Sequence, residues 1–80
     1  MLDNLGQQLY SPVVTTRTVA RRIEKLGGRW EPGKGSHRLY RCGTCKTVLV
    51  YHPGDIAAGT LRSIEKDMEP CFGRGWLTGR

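Results

Sequence analysis

The side chains best suited to chemistry lie in one short stretch, Lys34-Gly35-Ser36-His37-Arg38-Leu39-Tyr40. In this stretch a histidine follows a basic, glycine-containing loop and opens a segment that reads as a strand. A junction between loop and strand can hold an imidazole at the surface beside cationic groups. That arrangement suits cleavage of a phosphodiester, because an imidazole can accept a proton while cations stabilise charge on the phosphate oxygens.

The composition indicates one small basic domain. The chain has 80 residues, and 13 Lys and Arg against 7 Asp and Glu give a net charge of +6. This charge favours a polyanionic partner, nucleic acid first and an acidic protein second. No apolar run approaches the roughly 18 residues of a transmembrane helix, and residues 1–10 lack the basic flank and apolar block of a signal peptide. We therefore expect a cytoplasmic protein without membrane contact.

Hydrophobic periodicity predicts the element order α-β-β-β-α. A first helix starts at Thr16, with Thr15 or Thr16 as its cap, and ends at Gly27-Gly28. Strands are predicted at residues 29–31, 37–42 and 46–51, with a hairpin turn at residues 42–45. A second helix, capped by Thr60, is predicted to stop before Pro70. These elements fit a two-layer α+β sandwich with both helices on one face of a three-stranded antiparallel sheet.

The same pattern divides the chain into an N-terminal arm at residues 1–15, a domain at residues 16–69 and a tail at residues 70–80. The arm lacks sustained periodicity and carries no recognisable chemistry. The tail holds Phe72, Trp76 and Leu77 among glycines, which indicates an added packing segment.

Four motifs in this order resemble the HicA toxins, small mRNA-cleaving ribonucleases of bacterial and phage toxin-antitoxin pairs. The motifs are Glu24-Lys25-Leu26-Gly27-Gly28, the stretch from Lys34 to Tyr40, His52-Pro53-Gly54, and Gly59-Thr60-Leu61-Arg62-Ser63-Ile64. The resemblance covers roughly residues 16–68. It implies a fold like that of a double-stranded RNA-binding domain, and a HicB-like antitoxin that covers the basic sheet face.

By this resemblance His37 occupies the position of the catalytic histidine. Gly35 and Ser36 are the residues that set how this histidine approaches the substrate. RNA can be cleaved without a metal when a base removes the proton of its 2′-hydroxyl, which then attacks the adjacent phosphorus. Lys34 and Arg38 would steady the charge that builds on the phosphate. His52 is a candidate substrate-binding residue and general acid, with water or Lys34 as alternatives, although a structural role in its loop fits equally well.

Other functions fit the same sequence less closely. A domain of this fold could bind RNA without cleaving it, or the basic surface could simply dock on an acidic protein. A metal-dependent nuclease is disfavoured, because the seven acidic residues are dispersed and form no carboxylate pair near His37 in sequence. Ser36 lacks the base and oxyanion arrangement that a nucleophilic serine requires.

The Cys42-Gly43-Thr44-Cys45 turn departs from the polar turn that HicA toxins usually have. A Cys-x-x-Cys turn is half of a tetrahedral zinc site, and the other ligands would be Cys71 and a histidine such as His52. A reduced turn without metal, a zinc site at Cys42, Cys45 and Cys71, and a disulfide all remain open. The reduced turn is favoured because three cysteines cannot all pair within one chain and no secretion signal is present, so no cofactor is expected.

Overall fold

The computed structural model of the protein describes residues 14–51 and 53–79. The elements are α1 (Thr16–Lys25), β1 (Arg29–Pro32), β2 (His37–Cys42), β3 (Cys45–Val50) and α2 (Ala58–Phe72). The strands form one antiparallel sheet in the order β1-β2-β3. The predicted α+β fold is therefore confirmed.

Helix α1 begins and ends where the sequence predicts. The Thr15 hydroxyl accepts a hydrogen bond from the backbone N–H of Thr18 at 3.2 Å, which satisfies one of the free donors of the first turn. At the other end, a Cβ atom on Gly28 would overlap the side chain of Ile23. Only glycine therefore lets the chain turn back so closely against α1 and enter β1.

The core lies between the two helices and one face of the sheet. Side chains alternate between buried and exposed along β3, so one face of this strand is covered and the other is open. The largest fully buried side chains come from α1, the sheet and α2: Val19, Ile23, Tyr40, Leu49 and Met68. Both helices thus cover the same sheet face, as the two-layer arrangement requires.

Helix α2 is longer at both ends than the sequence predicts. It begins at Ala58, with Ala57 at the N-cap position, so Thr60 lies inside the helix and the predicted cap is wrong. It also continues through Pro70 to Phe72, so the predicted stop is wrong. Pro70 is exposed and removes only one backbone donor. The two residues after it are held in place, Cys71 by a disulfide to Cys45 and Phe72 by contact with Trp76. Tertiary packing of the last turn therefore outweighs the local preference of proline.

The segment after α2 packs onto the two helices. Trp76 is buried, and its indole Nε1–H donates to the backbone oxygen of Glu65 at 2.7 Å. The Glu65 carboxylate accepts bonds from the backbone N–H groups of Leu77 and Thr78 at 2.9 and 2.7 Å. Phe72 meets Trp76 edge to face at 5.1 Å. The prediction of an added packing segment is confirmed.

Most of the predicted N-terminal arm, residues 1–13, lies outside the part of the chain that the structure describes. The backbone oxygen of Val14, the first described residue, accepts a bond from Ile56 N–H at 2.9 Å. Within residues 14–51 and 53–79, every helix is too short or too polar to cross a bilayer.

Candidate active site at the start of strand β2

A tight turn places His37 at the start of β2. The backbone N–H of His37 donates to the carbonyl oxygen of Lys34 at 3.0 Å, and Gly33 N–H donates to the carbonyl oxygen of His37 at 2.9 Å. Gly35 has φ +58°, a conformation that other L-residues adopt at a cost. Gly35 thus gives the turn its shape.

The same turn fixes the orientation of the histidine ring. Nδ1 of His37 lies 2.7 Å from the carbonyl oxygen of Lys34. A carbonyl oxygen only accepts, so Nδ1 carries the proton and donates it. In the neutral imidazole, Nε2 is therefore the nitrogen with the free lone pair. Within residues 14–51 and 53–79, no hydrogen bond involves this Nε2 atom, and the His37 side chain is exposed.

His37 points to the open face of the sheet, away from both helices. It stands directly opposite Val50 on β3, and the next pair on this face is Leu39 with Val48. Val48 and Val50 are 52% and 42% exposed, which is unusual for valine in a small domain. The candidate base therefore borders an exposed apolar patch formed by Val48, Val50 and the half-buried Leu39.

Cationic side chains occupy the far end of the open face. Arg41 lies opposite Lys46 on β3 and opposite Arg29 on β1. Nε of Arg41 donates to the carboxylate of Glu31 at 3.0 Å. Arg41 is four positions along β2 from His37, roughly 13 Å at about 3.3 Å per residue. The open face is thus basic at one end and apolar around His37.

Arg38 projects to the opposite face, because successive side chains of a strand alternate. Its guanidinium lies 4.0 Å from the centres of both the Trp30 and Tyr51 rings. It also donates to the Tyr40 hydroxyl at 3.1 Å and approaches the Glu24 carboxylate at 4.0 Å. The structure therefore does not bring Arg38 to His37, but holds it in a cluster on the helix side.

Tyr40 links this cluster to α1. Its hydroxyl donates to Oε2 of Glu24 at 2.7 Å, and its side chain is fully buried. Burial, together with the hydrogen bond to Glu24, raises the pKa of Tyr40 to about 12. The glutamate of the Glu24-Lys25-Leu26-Gly27-Gly28 motif is thus the acceptor that satisfies a buried phenol behind β2.

The remaining predicted site residues divide into three groups. Lys34 and Ser36 are exposed in the turn beside His37, and the backbone oxygen of Ser36 accepts a bond from Tyr51 N–H at 2.8 Å. Gly35 lies between them. His52 lies outside the described residues.

The cysteines lie together at the opposite end of the sheet. Cys45 and Cys71 form a disulfide with a Cα–Cα distance of 6.2 Å, and Cys42 is free. This differs from the reduced turn that the sequence favours, because the end of α2 reaches the hairpin. Within residues 14–51 and 53–79, no cluster of three His, Cys, Asp or Glu side chains is placed to hold a metal ion. In the disulfide form, two of the three cysteines suggested as zinc ligands are bonded to each other.

The sequence interpretation missed the aromatic clamp around Arg38. The sequence places Trp30 and Tyr51 only in strands, and neither lies in the glycine-containing loop before His37. Strand alternation carried the needed signal, since Trp30, Arg38 and Tyr40 all fall on one face once the register is known. The register itself depends on the turn and could not be read from the loop sequence alone.

Comparison with known proteins identifies the family. The family model described as the HicA toxin of bacterial toxin-antitoxin systems matches residues 16–69, which is more than half of the chain. Searches of curated proteins and of solved structures found no match. The matched segment runs from the first residue of α1 into the last turns of α2 and includes the turn that holds His37. This chain therefore belongs to the HicA toxin family and is the toxin of a toxin-antitoxin pair.

Proposed function

We propose that this toxin is an endoribonuclease that cleaves mRNA, with His37 as the general base. The observation that carries the proposal is the hydrogen bond from Nδ1 to the carbonyl oxygen of Lys34. This bond presents the basic Nε2 atom to solvent on an exposed surface. A base in that position can reach a substrate without any rearrangement of the turn.

The reaction needs one base and one acid. Nε2 of His37 takes the proton of a ribose 2′-hydroxyl, and the resulting oxyanion attacks the adjacent phosphorus. The bond from phosphorus to the 5′-oxygen breaks, which leaves a 2′,3′-cyclic phosphate and a 5′-hydroxyl. The leaving oxygen receives its proton from water or from Lys34, while the role of His52 stays a prediction. Each positioned proton-transfer group contributes roughly 10²- to 10⁴-fold to the rate.

Lys34 is the cation best placed to stabilise the phosphate. It is exposed and belongs to the same tight turn as His37. Arg38 is less suited to this role, because its guanidinium is stacked between two rings on the other face. Charge on the phosphorane oxygens is therefore assigned to Lys34 and to backbone N–H groups of the turn.

The proposed chemistry uses no metal. Of the acidic residues that the structure describes, Glu24, Glu31 and Asp67 each accept a hydrogen bond from another side chain, and Glu65 caps the tail. None of these four carboxylates hydrogen-bonds to His37. This dispersal supports acid-base cleavage over a carboxylate-bound metal pair.

The antitoxin of the pair is proposed to be HicB-like and to cover the open sheet face. The exposed apolar patch of Leu39, Val48 and Val50 lies directly beside His37. A partner that buried this patch would remove apolar surface from water and block the base at the same time.

The test compares two substitutions at one position. His37→Ala removes the imidazole, whereas His37→Asn keeps an N–H group near the Nδ1 position and so preserves the bond to Lys34. Both variants should fold, yet both should lose cleavage of mRNA in excess EDTA and should no longer arrest growth. Cleavage by either variant at the parent rate would overturn the proposal. RNA binding without any cleavage by the parent would instead indicate a non-catalytic RNA-binding protein.

A further inference from the structure

We propose that the cavity at the β1 edge of the sheet binds an unpaired base of the RNA strand, with Trp30 as the stacking surface. The proposal rests on the proposed function, since it assigns RNA as the ligand. It adds a substrate subsite at the other end of the sheet from His37.

The cavity has a volume of about 530 Å³ and is open to solvent. This is within the range of roughly 300 to 1,000 Å³ that small ligands occupy. Its walls include Arg29, Trp30 and Arg41, with Glu31 as the acidic member. Since the sheet order is β1-β2-β3, the cavity wraps around an edge strand and takes side chains from both sheet faces.

Trp30 is held ready for stacking. The Arg38 guanidinium packs 4.0 Å from its ring centre, and the Tyr40 ring lies at 6.4 Å and 48°. Trp30 nevertheless remains 43% exposed and is one of the residues that line the cavity. A fixed and exposed aromatic ring gains stacking energy without first losing side-chain freedom, and it accepts any base, since every base has a π face.

Two arginines supply the contact for the sugar-phosphate backbone. Arg29 and Arg41 stand directly opposite each other on neighbouring strands. Glu31 engages only Nε of Arg41, and this ion pair is more than half exposed on both sides, so it is easily displaced. Among the residues that the structure describes, none hydrogen-bonds to the two terminal NH₂ groups of Arg41, which can bind phosphate oxygens. Two cations against one anion leave the cavity wall positively charged.

The spacing suits a single RNA strand. Trp30 pairs with Tyr40, which is three residues from His37 along β2, or roughly 10 Å at about 3.3 Å per residue. Because Trp30 lies on the helix side of the sheet and His37 on the open face, the path around the β1 edge is longer than this distance, and several nucleotides of a single strand are needed to span it. A strand leaving the cavity around the β1 edge reaches the start of β2 without crossing the sheet. RNA is favoured over a protein ligand because the wall combines an aromatic platform with cations.

Binding is measured with full-length His37→Asn protein, so that the RNA stays intact. The probe is a labelled single-stranded RNA of about 12 nucleotides, within the range of known single-strand sites. Trp30→Ala and Trp30→Leu should each weaken binding roughly 5- to 150-fold, whereas Trp30→Phe should stay within about threefold of the parent. The leucine variant keeps apolar bulk without a π system, so it separates stacking from packing.

Fluorescence and salt dependence provide independent readouts. Bound RNA should quench the exposed Trp30 and leave the emission of buried Trp76. Arg29→Gln and Arg41→Gln should each lower the slope of log affinity against log salt by about one, while Arg62→Gln on the exposed side of α2 should not. Parent-like affinity of Trp30→Leu and Trp30→Ala, or RNA binding without quenching, would overturn the subsite.

Failure of this proposal and failure of the catalytic one are distinguishable. If His37→Asn abolishes cleavage while the Trp30 variants bind RNA normally, only the stacking site is wrong. If RNA quenches the Trp30 fluorescence of the parent protein but is never cleaved, the stacking site is correct and the ribonuclease assignment is wrong.

Discussion

The carbonyl oxygen of Lys34 accepts two hydrogen bonds from His37, one from its backbone N–H at 3.0 Å and one from its ring Nδ1 at 2.7 Å. One peptide group therefore fixes both the start of β2 and the orientation of the imidazole. Anything that distorts this turn should act on folding and on cleavage together.

Gly35→Ala tests that connection. At φ +58° a Cβ atom costs about 1 to 2 kcal/mol, although the space around Gly35 is empty. We expect lower stability in urea and a loss of cleavage larger than the stability change explains, because the ring moves with the turn. Gly59→Ala is the matched control: its Cβ also meets empty space, but it lies in α2 and should stabilise the protein by about 0.4 to 1 kcal/mol. Unchanged cleavage by Gly35→Ala would contradict this view of the turn.

Because of Tyr40, we expect the folded protein to lose stability at high pH. Its pKa rises from about 10 in the unfolded chain to about 12 in the folded protein, so folding favours the neutral phenol. The stabilisation is complete below pH 10 and is lost as the pH rises toward 12. Urea unfolding across this range should show a decline that Tyr40→Phe lacks. If the free energy of unfolding falls with pH in the same way for the parent and for Tyr40→Phe, Tyr40 does not cause the decline.

Arg38 should act in folding rather than in phosphate binding. Arg38→Lys keeps the charge but cannot stack flat between Trp30 and Tyr51, so we expect about 1 to 2 kcal/mol less stability. The salt dependence of RNA affinity should stay unchanged. Lys34→Gln, by contrast, should leave stability nearly unaffected and lower the salt slope by about one. A lowered slope for an Arg38→Gln variant would restore Arg38 as a phosphate contact.

The Cys45–Cys71 disulfide should contribute measurably to stability. It joins residues 26 positions apart, for which loop closure predicts about 3.5 kcal/mol. Thermal unfolding with and without a reductant should show a lower Tm for the reduced protein, and Cys71→Ser should match that lower value in both buffers. Cys42→Ser serves as the control and should retain the dependence on reductant. If the parent melts at the same temperature in both buffers, the disulfide does not stabilise the domain.

The sequence predicts the elements better than it predicts their environment. Local signals place α1 and β2 correctly, because a threonine cap, a glycine stop and a two-residue turn act within a few residues. Strand alternation alone predicts that Arg38 points to the face opposite His37. Its place in the basic segment next to His37 nevertheless favours the wrong interpretation, that it belongs to the site. The end of α2 could not be predicted locally. Pro70 disfavours a helix at this point. The contacts that keep the last turn helical join Phe72 to Trp76 and Cys71 to Cys45 on β3, which is distant in sequence.

In the candidate site, too, the sequence predicts positions along the chain but not the contacts that the fold creates. The position of His37 follows from the motif, whereas the tautomer of its ring follows from the fold of the turn. The disulfide needs α2 and the β2-β3 hairpin to meet, which no spacing of cysteines reveals. The exposed apolar patch beside His37 becomes visible only when Leu39 and Val48 are known to pair.

The disulfide also encloses β3 and nearly all of α2 in a covalent ring. The exposed connection at residues 53–55 lies inside that ring. A protease that nicks it would leave two fragments, one with His37 and one with all of α2, that remain a single molecule until the Cys45–Cys71 bond is reduced. On a gel, such a nicked toxin would migrate as one chain without reductant and as two with it.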